Sequence, residues 1–245
     1  MIKSSRDALC APPPDKRKEN PMSDRKRKRK KRSPFETAAL ILFPSSMAVA
    51  VTCFLIVSMG SPGRSSASMG YPQYISEVDA DGDGIDDQTD LLRSARAYLS
   101  TGPRYKSKYY ESGYPDDGYG VCTDVLAFAM KGAGYDLMTL VNEDILSHRE
   151  DYDIDHPDIN IDFRRVRNLR VYFKRNAISL TTDPKDTREW QGGDIVMFHE
   201  HVGIVSDIRN ERGVPYVIHL RSGMQLKHEE DILESSTVTD HFRLN

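Results

Sequence analysis

Apolar residues recur at helical spacing through the middle of the chain. They do so in four segments, 90–100, 122–133, 136–146 and 164–175, and each is predicted to be an amphipathic helix. One face of the first segment carries Leu91, Leu92, Ala95 and Leu99. Because such a face must be covered, the four helices are expected to share a core.

The pattern changes beyond Trp190, where apolar and polar positions alternate. This alternation predicts strands at 194–198, 202–207, 216–220 and 239–244. Helices that precede antiparallel strands predict an α+β domain, with the helices packed on an antiparallel sheet. Two other stretches, 105–119 and 151–162, have the composition of loops.

The N-terminal part of the chain has the pattern of a membrane anchor. Residues 37–59 carry no charge, and at about 1.5 Å per residue a helix of this length spans a bilayer core of about 30 Å. The unbroken basic run at 25–32 favours the cytoplasmic side. We therefore expect a disordered basic head at 1–36, a transmembrane signal-anchor at 37–59, a stalk at 60–78 and an extracytoplasmic remainder. A cleaved signal peptide is the alternative, and a start at Met22 would give the same anchor.

Charge is distributed unevenly, and this narrows the possible functions. Residues 1–68 contain 14 Lys and Arg against 5 Asp and Glu, whereas residues 69–245 contain 20 against 32. An acidic body lacks the clustered cations that phosphate contacts need, which argues against nucleic-acid binding. The three cysteines are too few for a disulfide-rich scaffold or a four-cysteine metal site.

An acidic loop at 79–90 follows the pattern of a calcium-binding loop. Asp79, Asp81 and Asp83 take its first, third and fifth positions, and Gly84 takes the sixth, where such loops turn sharply. The remaining predicted ligands are the carbonyl of Ile85 and the carboxylates of Asp87 and Asp90. The loop resembles those of dockerins and thrombospondin type 3 repeats, but it ends in Asp where EF-hands have Glu, and no helix is predicted before it. We expect a structural Ca²⁺ here; a solvated acidic turn is the alternative.

Cys122 is the candidate nucleophile, because it is the only cysteine in residues 69–245 and opens a predicted helix. The helix dipole and the unpaired N–H groups at a helix start are expected to lower the pKa of the thiol and to hold an oxyanion. His201, at a strand start, is the candidate base, and His219, on the following strand, is expected to orient it. His199 is a rival base, since alternation places it on the same strand face.

Three further polar residues are candidates for substrate binding, namely Asp124, Asn160 and Asp162. The preferred interpretation of Asp124 is nevertheless a charge that stabilises the helix start, and that of Asp162 is the cap of the helix predicted from Arg164. A zinc site built from Cys122, His201 and His219 is a weaker alternative, because it does not account for a cysteine at a helix start.

The order of these motifs resembles that of a known family. The motifs are Gly-Val-Cys-Thr-Asp at 120–124, Asn-Ile-Asp at 160–162, Arg-Arg-Val at 164–166, Gly-Asp-Ile-Val at 193–196, His-Val-Gly-Ile-Val-Ser at 201–206 and Val-Ile-His at 217–219. Together they resemble the bacterial domain-of-unknown-function family 1287, from about Leu92 to the C-terminus. That family in turn resembles the NlpC-type cell-wall peptidases of the papain-like superfamily. The resemblance implies a papain-like fold with Cys122 as nucleophile, His201 as general base and acid, and His219 as the orienting group.

These observations predict a membrane-anchored, extracytoplasmic cysteine hydrolase, with its catalytic domain at 91–245 and an acyl-enzyme mechanism. The expected partners are a cell-wall peptide or another amide substrate and, through residues 37–59, the membrane; no cofactor is expected for catalysis. The choice of substrate rests on analogy, which does not fix function. An acyltransferase that uses the same Cys-His pair and a non-catalytic, calcium-stabilised cell-surface binding module are the alternatives.

Overall fold

The computed structural model describes residues 63–244, which form a mixed α+β domain. Its α-helices are α1 (Asp87–Ser100), α2 (Cys122–Gly132), α3 (Leu137–Ser147), α4 (Ile159–Asp162) and α5 (Val166–Asn176). The four long helices agree with the four periodic segments to within three residues at each end. α1 begins earlier than the apolar pattern does, because the Asp86 side chain accepts a hydrogen bond from the Thr89 N–H and so caps the helix.

The strands form one antiparallel sheet and one separate pair. They are β1 (Arg64–Ser65), β2 (Arg104–Tyr105), β3 (Tyr119–Gly120), β4 (Ile178–Ser179), β5 (Ile195–Met197), β6 (Val202–Arg209), β7 (Pro215–Ile218), β8 (Glu229–Glu230) and β9 (Asp240–Arg243). The sheet has the order β4-β9-β5-β6-β7-β8, and β1 joins it beside the end of β6. β2 and β3 pair with each other in parallel, within the stretch that was predicted to be a loop.

The two faces of the sheet bury different clusters of side chains. Ile195 and Ile204 pack with the helices, in a core that includes Leu91, Leu126, Leu137 and Phe173. Val196 and Val205 belong to a second cluster around Trp190. Neighbouring residues of a strand point to opposite faces, so a sheet covered on both sides is apolar at every position. Each fully buried aliphatic side chain contributes about 1.5–3 kcal/mol to the free energy of unfolding. This burial holds the helices on the sheet.

The segment predicted to be a stalk is packed on the domain over residues 63–78. β1 pairs with β6 through Arg64 opposite Arg209. The buried guanidinium of Arg209 lies 4.1 Å from the centre of the Tyr71 ring and donates to Ser66 Oγ over 2.7 Å. A buried charge needs such partners, so Arg209 holds this segment in place. The stalk prediction is therefore wrong for these residues.

Within residues 63–244, no helix is both long and apolar enough to cross a membrane. The predicted basic head at 1–36 and the predicted anchor at 37–59 lie outside the described residues.

Candidate active site

Cys122 is the first residue of α2 and is 9% exposed. The chain enters the helix in an extended conformation at Val121, so the thiol lies where backbone N–H groups have no partner within the helix. Gly120 permits this entry, because a Cβ there would lie 2.2 Å from the hydroxyl of Tyr98. The geometry suits a nucleophile that needs amide donors for an oxyanion.

Asp124 secures this helix start from within the core. Its carboxylate is buried and receives hydrogen bonds from Arg164 Nε at 2.6 Å, Arg164 Nη2 at 2.9 Å and the Val121 N–H at 2.7 Å. A carboxylate with these partners and no exposed surface has no room for a substrate group. The structure therefore favours the helix-start interpretation of Asp124 over substrate binding.

His201 and His219 are brought together by the hairpin of β6 and β7. His201 Nε2 lies 2.8 Å from His219 Nδ1, and their ring planes are nearly perpendicular. Gly203 makes the approach possible, since a Cβ there would lie 2.4 Å from Val217 Cγ1 and 3.3 Å from His219 Cβ. His219 is fully buried, and its backbone N–H bonds the carbonyl of His228.

Glu230 completes this chain of hydrogen bonds and was missed by the sequence analysis. Its Oε2 lies 3.0 Å from His219 Nε2. A carboxylate only accepts, so that nitrogen carries a proton, and a neutral His219 must then accept through Nδ1. His201 consequently donates through Nε2, which leaves its Nδ1 as the basic nitrogen. Glu230 thus sets the tautomer of both histidines.

The site favours neutral forms of the cysteine and both histidines. Burial lowers the pKa of His201 to about 3, and the charges of His219 and Arg221 act in the same direction. Burial also lowers the pKa of His219 to about 4, and the charges of Arg221 and His228 act in the same direction.

Burial raises the pKa of the Cys122 thiol and outweighs the backbone amides of Val202 and Thr123, which favour the thiolate. The expectation that the helix start lowers the thiol pKa is therefore wrong for this structure. The thiol is therefore protonated at neutral pH, and a thiolate has to be formed by loss of that proton. The Val202 amide is also the link between the two halves of the site, since Val202 directly follows His201.

The other sequence candidates lie outside this network. His199 is exposed in the turn before β6, where its carbonyl accepts from Arg170. Asp162 is buried and accepts a hydrogen bond from the Asp158 N–H at 2.7 Å, so it stabilises α4. It does not cap α5, and its burial leaves little surface for a substrate. Asn160 is half-buried and donates to the Tyr109 hydroxyl at 3.4 Å; its role in substrate binding stays a prediction.

A cluster of cations surrounds Tyr119, three residues before Cys122 in the chain. Arg104, Lys106 and Lys108 place their charged groups 4.4, 5.2 and 5.0 Å from the centre of the Tyr119 ring. Tyr119 belongs to β3, which leads directly into α2. The parallel pairing of β2 with β3 creates this cation cluster from residues about 15 positions apart. Nothing in the local sequence pattern signals such a pairing.

Asp194, from the Gly-Asp-Ile-Val motif, is a buried structural centre. Its carboxylate receives Arg243 Nε at 2.7 Å and Gln88 Nε2 at 2.8 Å, and lies 2.9 Å from His241 Nε2. The other nitrogen of His241, Nδ1, lies 2.8 Å from the carbonyl oxygen of Thr181. Burial alone raises the pKa of Asp194, but His241 and Arg243 outweigh it, and the net shift is downward.

The acidic loop lies on the opposite end of α2 from Cys122. Carboxylate oxygens of Asp79, Asp81 and Asp83 lie within 4.8 Å of one another, and no other His, Cys, Asp or Glu in residues 63–244 forms such a group. Asp87 is buried and accepts from the Ala80 N–H and the Tyr135 hydroxyl. It serves the fold and is not placed to be a ligand, contrary to the sequence prediction. For Ile85 the prediction concerns its carbonyl, and it stays a prediction.

Comparisons with known proteins agree with the resemblance in the motifs. A family model described as "Domain of unknown function (DUF1287)" matches residues 92–244. The uncharacterized protein YijF of Escherichia coli (strain K12) is 36% identical over 151 residues, which make up 58% of this chain and 72% of YijF. No solved structure matches the chain. Because the family model covers more than half of its length, the chain belongs to the DUF1287 family.

Proposed function

We propose that this chain is a cysteine hydrolase, an amidase or peptidase, in which Cys122 is the nucleophile and His201 the general base and acid. The observation that carries the proposal is the hydrogen-bonded series His201–His219–Glu230. The residue after His201, Val202, places its backbone amide at the thiol of Cys122, which begins a helix. In this order of tautomers the basic nitrogen of His201 is Nδ1, which is not engaged by His219. A papain-like fold is part of the proposal, because the nucleophile on a helix and the base on a strand have that superfamily's arrangement.

The reaction follows from these positions. The Cys122 sulfur attacks the substrate carbonyl carbon while its proton passes to His201 Nδ1, and amide donors at the start of α2 hold the oxyanion. The C–N bond breaks as His201 returns the proton to the leaving amine, and a thioester is left on Cys122. Water then attacks the thioester, His201 takes a proton from that water, and the released thiolate takes it back. His219 and Glu230 keep the imidazole oriented through both steps.

A peptide with a free carboxylate near the scissile bond is the substrate that this site suits best. The cations of Arg104, Lys106 and Lys108, which lie around Tyr119 shortly before Cys122 in the chain, would attract such a group. Cell-wall peptide is the substrate class that we propose, in keeping with the family resemblance and the predicted outward orientation.

Digestion of purified cell wall by the full chain tests this proposal. Wild type and Cys53→Ala, a matched control that alters another cysteine, should both release new amine and carboxyl ends. Cys122→Ala should release none. If wild type releases no new ends, or if Cys122→Ala releases as many, the hydrolase is excluded. New ends that carry an added amine in place of water would identify an acyltransferase.

The rival is a non-catalytic binding module, and one observation favours it. Burial raises the pKa of the Cys122 thiol, as expected for a cysteine that serves only as a packed side chain. Cell-wall binding that is equal in wild type and Cys122→Ala, without cleavage, is the result that this rival predicts.

We further propose that residues 37–59 anchor the chain in the membrane with the domain outside the cytoplasm. The support is the uncharged run and the basic run before it. Protease added to intact spheroplasts should then digest the domain. Protection from protease, or recovery of the chain in the fraction without membranes, would contradict this orientation.

A further inference from the structure

The acidic loop at 79–90 lies outside the family match, which begins at residue 92, and the proposed hydrolysis makes no use of it. Its backbone folds tightly around Asp79, whose two oxygens accept from the N–H groups of Gly82 at 2.8 Å and Gly84 at 2.9 Å. Both glycines have a positive φ, of 75° and 90°. This loop conformation brings the carboxylate oxygens of Asp79, Asp81 and Asp83 close together, but neighbouring carboxylates alone do not establish a binding site.

Asp90 supplies the independent observation. It lies in the first turn of α1 and is 6% exposed, yet its Oδ2 is buried without a hydrogen-bond partner. The carboxylates of Asp83 and Asp81 lie close enough to act on it electrostatically, so its side chain lies beside the acidic loop. An ionised oxygen buried without a partner is costly, and native proteins seldom keep one unless a ligand or cation completes it.

We propose that Asp79, Asp81, Asp83 and Asp90, with the carbonyl of Ile85, bind a calcium ion. These residues occupy the first, third, fifth, twelfth and seventh positions of a calcium loop. The ninth position, Asp87, is bonded to Tyr135 and contributes no direct ligand. Asp90 lies outside the group of oxygens within 4.8 Å, so binding draws its side chain towards the other three.

The donor set selects calcium over magnesium. All donors are oxygens, and Asp90 has to move to complete the site, so the coordination is irregular. Ca²⁺ accepts six to eight oxygens at about 2.3–2.6 Å in flexible geometry, whereas Mg²⁺ demands a near-ideal octahedron. One site of this kind suits the millimolar calcium outside cells.

The bound ion would join two parts of the domain. A Cβ at Gly134 would lie 3.0 Å from Asp81, so the loop is packed on the chain that follows α2. Asp90 belongs to α1, and calcium would therefore tie the start of α1 to the end of the helix that carries Cys122. Its effect should be on stability, because the loop is remote from the histidines.

Thermal unfolding and titration calorimetry of the full chain, with Ca²⁺ or Mg²⁺ as the probe, test this proposal independently of any hydrolysis. At ten times the dissociation constant, Ca²⁺ should raise the melting temperature of wild type by about 3–6 °C. Mg²⁺ at the same concentration should do much less.

Two isosteric variants separate a ligand from a nearby charge. Asp90→Asn should weaken calcium binding at least tenfold, and without calcium it should melt at or above the wild-type temperature, because it removes an unpaired buried charge. Asp86→Asn keeps the cap of α1 and removes a charge of the same loop, so its affinity should stay within about threefold. The proposal is overturned if 10 mM Ca²⁺ gives wild type no shift, or if Asp90→Asn binds as tightly as wild type. Equal losses in the two variants would also overturn it, since they would indicate only general attraction.

Discussion

The buried ion pair between Asp124 and Arg164 secures the helix start that carries Cys122, and mutation can test how much it stabilises the domain. The two side chains are 0% and 2% exposed and are joined by two hydrogen bonds. Removing one partner leaves the other charge buried and uncompensated, which costs about 3–5 kcal/mol. Arg164→Met and Asp124→Leu should each destabilise the domain by that amount, a large part of an ordinary domain's stability.

The double variant decides whether the pair behaves as described. With both charges gone, the Lys108 carbonyl and the Val121 N–H still lack their hydrogen-bond partners, which costs about 1–3 kcal/mol for each group. The double variant should therefore be no less stable than the worse single variant, which gives a coupling energy of at least about 3 kcal/mol.

Urea unfolding of the full chain provides the measurement. Trp190 is the only tryptophan of the chain and is fully buried against His241, so its fluorescence reports the loss of the core. If the losses of the two single variants simply add, so that the double variant loses about 6–10 kcal/mol in total, the two side chains do not form a coupled buried pair. Losses below about 1 kcal/mol in the single variants would show a solvated pair instead.

Two further predictions concern the histidines. Because the pKa of His201 is lowered to about 3 in the folded state, the unfolded chain binds a proton below about pH 6.5 that the folded chain does not. The free energy of unfolding should thus fall by about 2–3 kcal/mol from pH 7 to pH 4.5 through His201; a His201→Gln variant with the same pH dependence as wild type would contradict this. Glu230, whose side chain is 33% exposed, should contribute about 1–2 kcal/mol to the transition state, so Glu230→Ala should slow acylation about 5–30-fold. Glu229→Ala, which changes the neighbour that binds Arg96, is the matched control and should leave the rate unchanged.

The long helices and the central hairpin were predictable because their signals are local. The apolar face of α1, the helix start at Cys122 and the alternation around His201 depend on spacing within about a dozen residues. Loop length and alternation were also sufficient to predict that His201 and His219 meet across β6 and β7.

The parts that escaped prediction depend on contacts between distant segments. Glu230 belongs to a two-residue strand within a charged run that is typical of solvated loops, and only its pairing beside β7 carries it to His219. Asp124 was recognised as a possible helix charge, but its partner Arg164 lies 40 residues away. The direction of the thiol pKa was predicted wrongly for the same reason. The helix start is visible in the sequence, whereas the burial that outweighs it is not.

The calcium loop shows the limit of a linear motif. Its pattern assigns Asp87 and Asp90 equally to the ion, since both stand at ligand positions. In the fold, the Asp87 carboxylate accepts hydrogen bonds from Tyr135 and Ala80, whereas one oxygen of Asp90 has no hydrogen-bond partner. Three-dimensional packing distinguishes two residues that the sequence treats alike.

Trapping the acyl-enzyme tests the central claim most directly. The full chain is mixed rapidly with an activated ester of a short peptide that bears a free carboxylate, and its intact mass is followed. An acyl adduct should form on Cys122, and His201→Ala should slow its formation by at least about 100-fold, as expected for a lost general base. His199→Ala, the matched control for the rival base, should react like wild type. If no adduct forms on Cys122, or if the two histidine variants react at the same rate, the account of a Cys122–His201 hydrolase is contradicted.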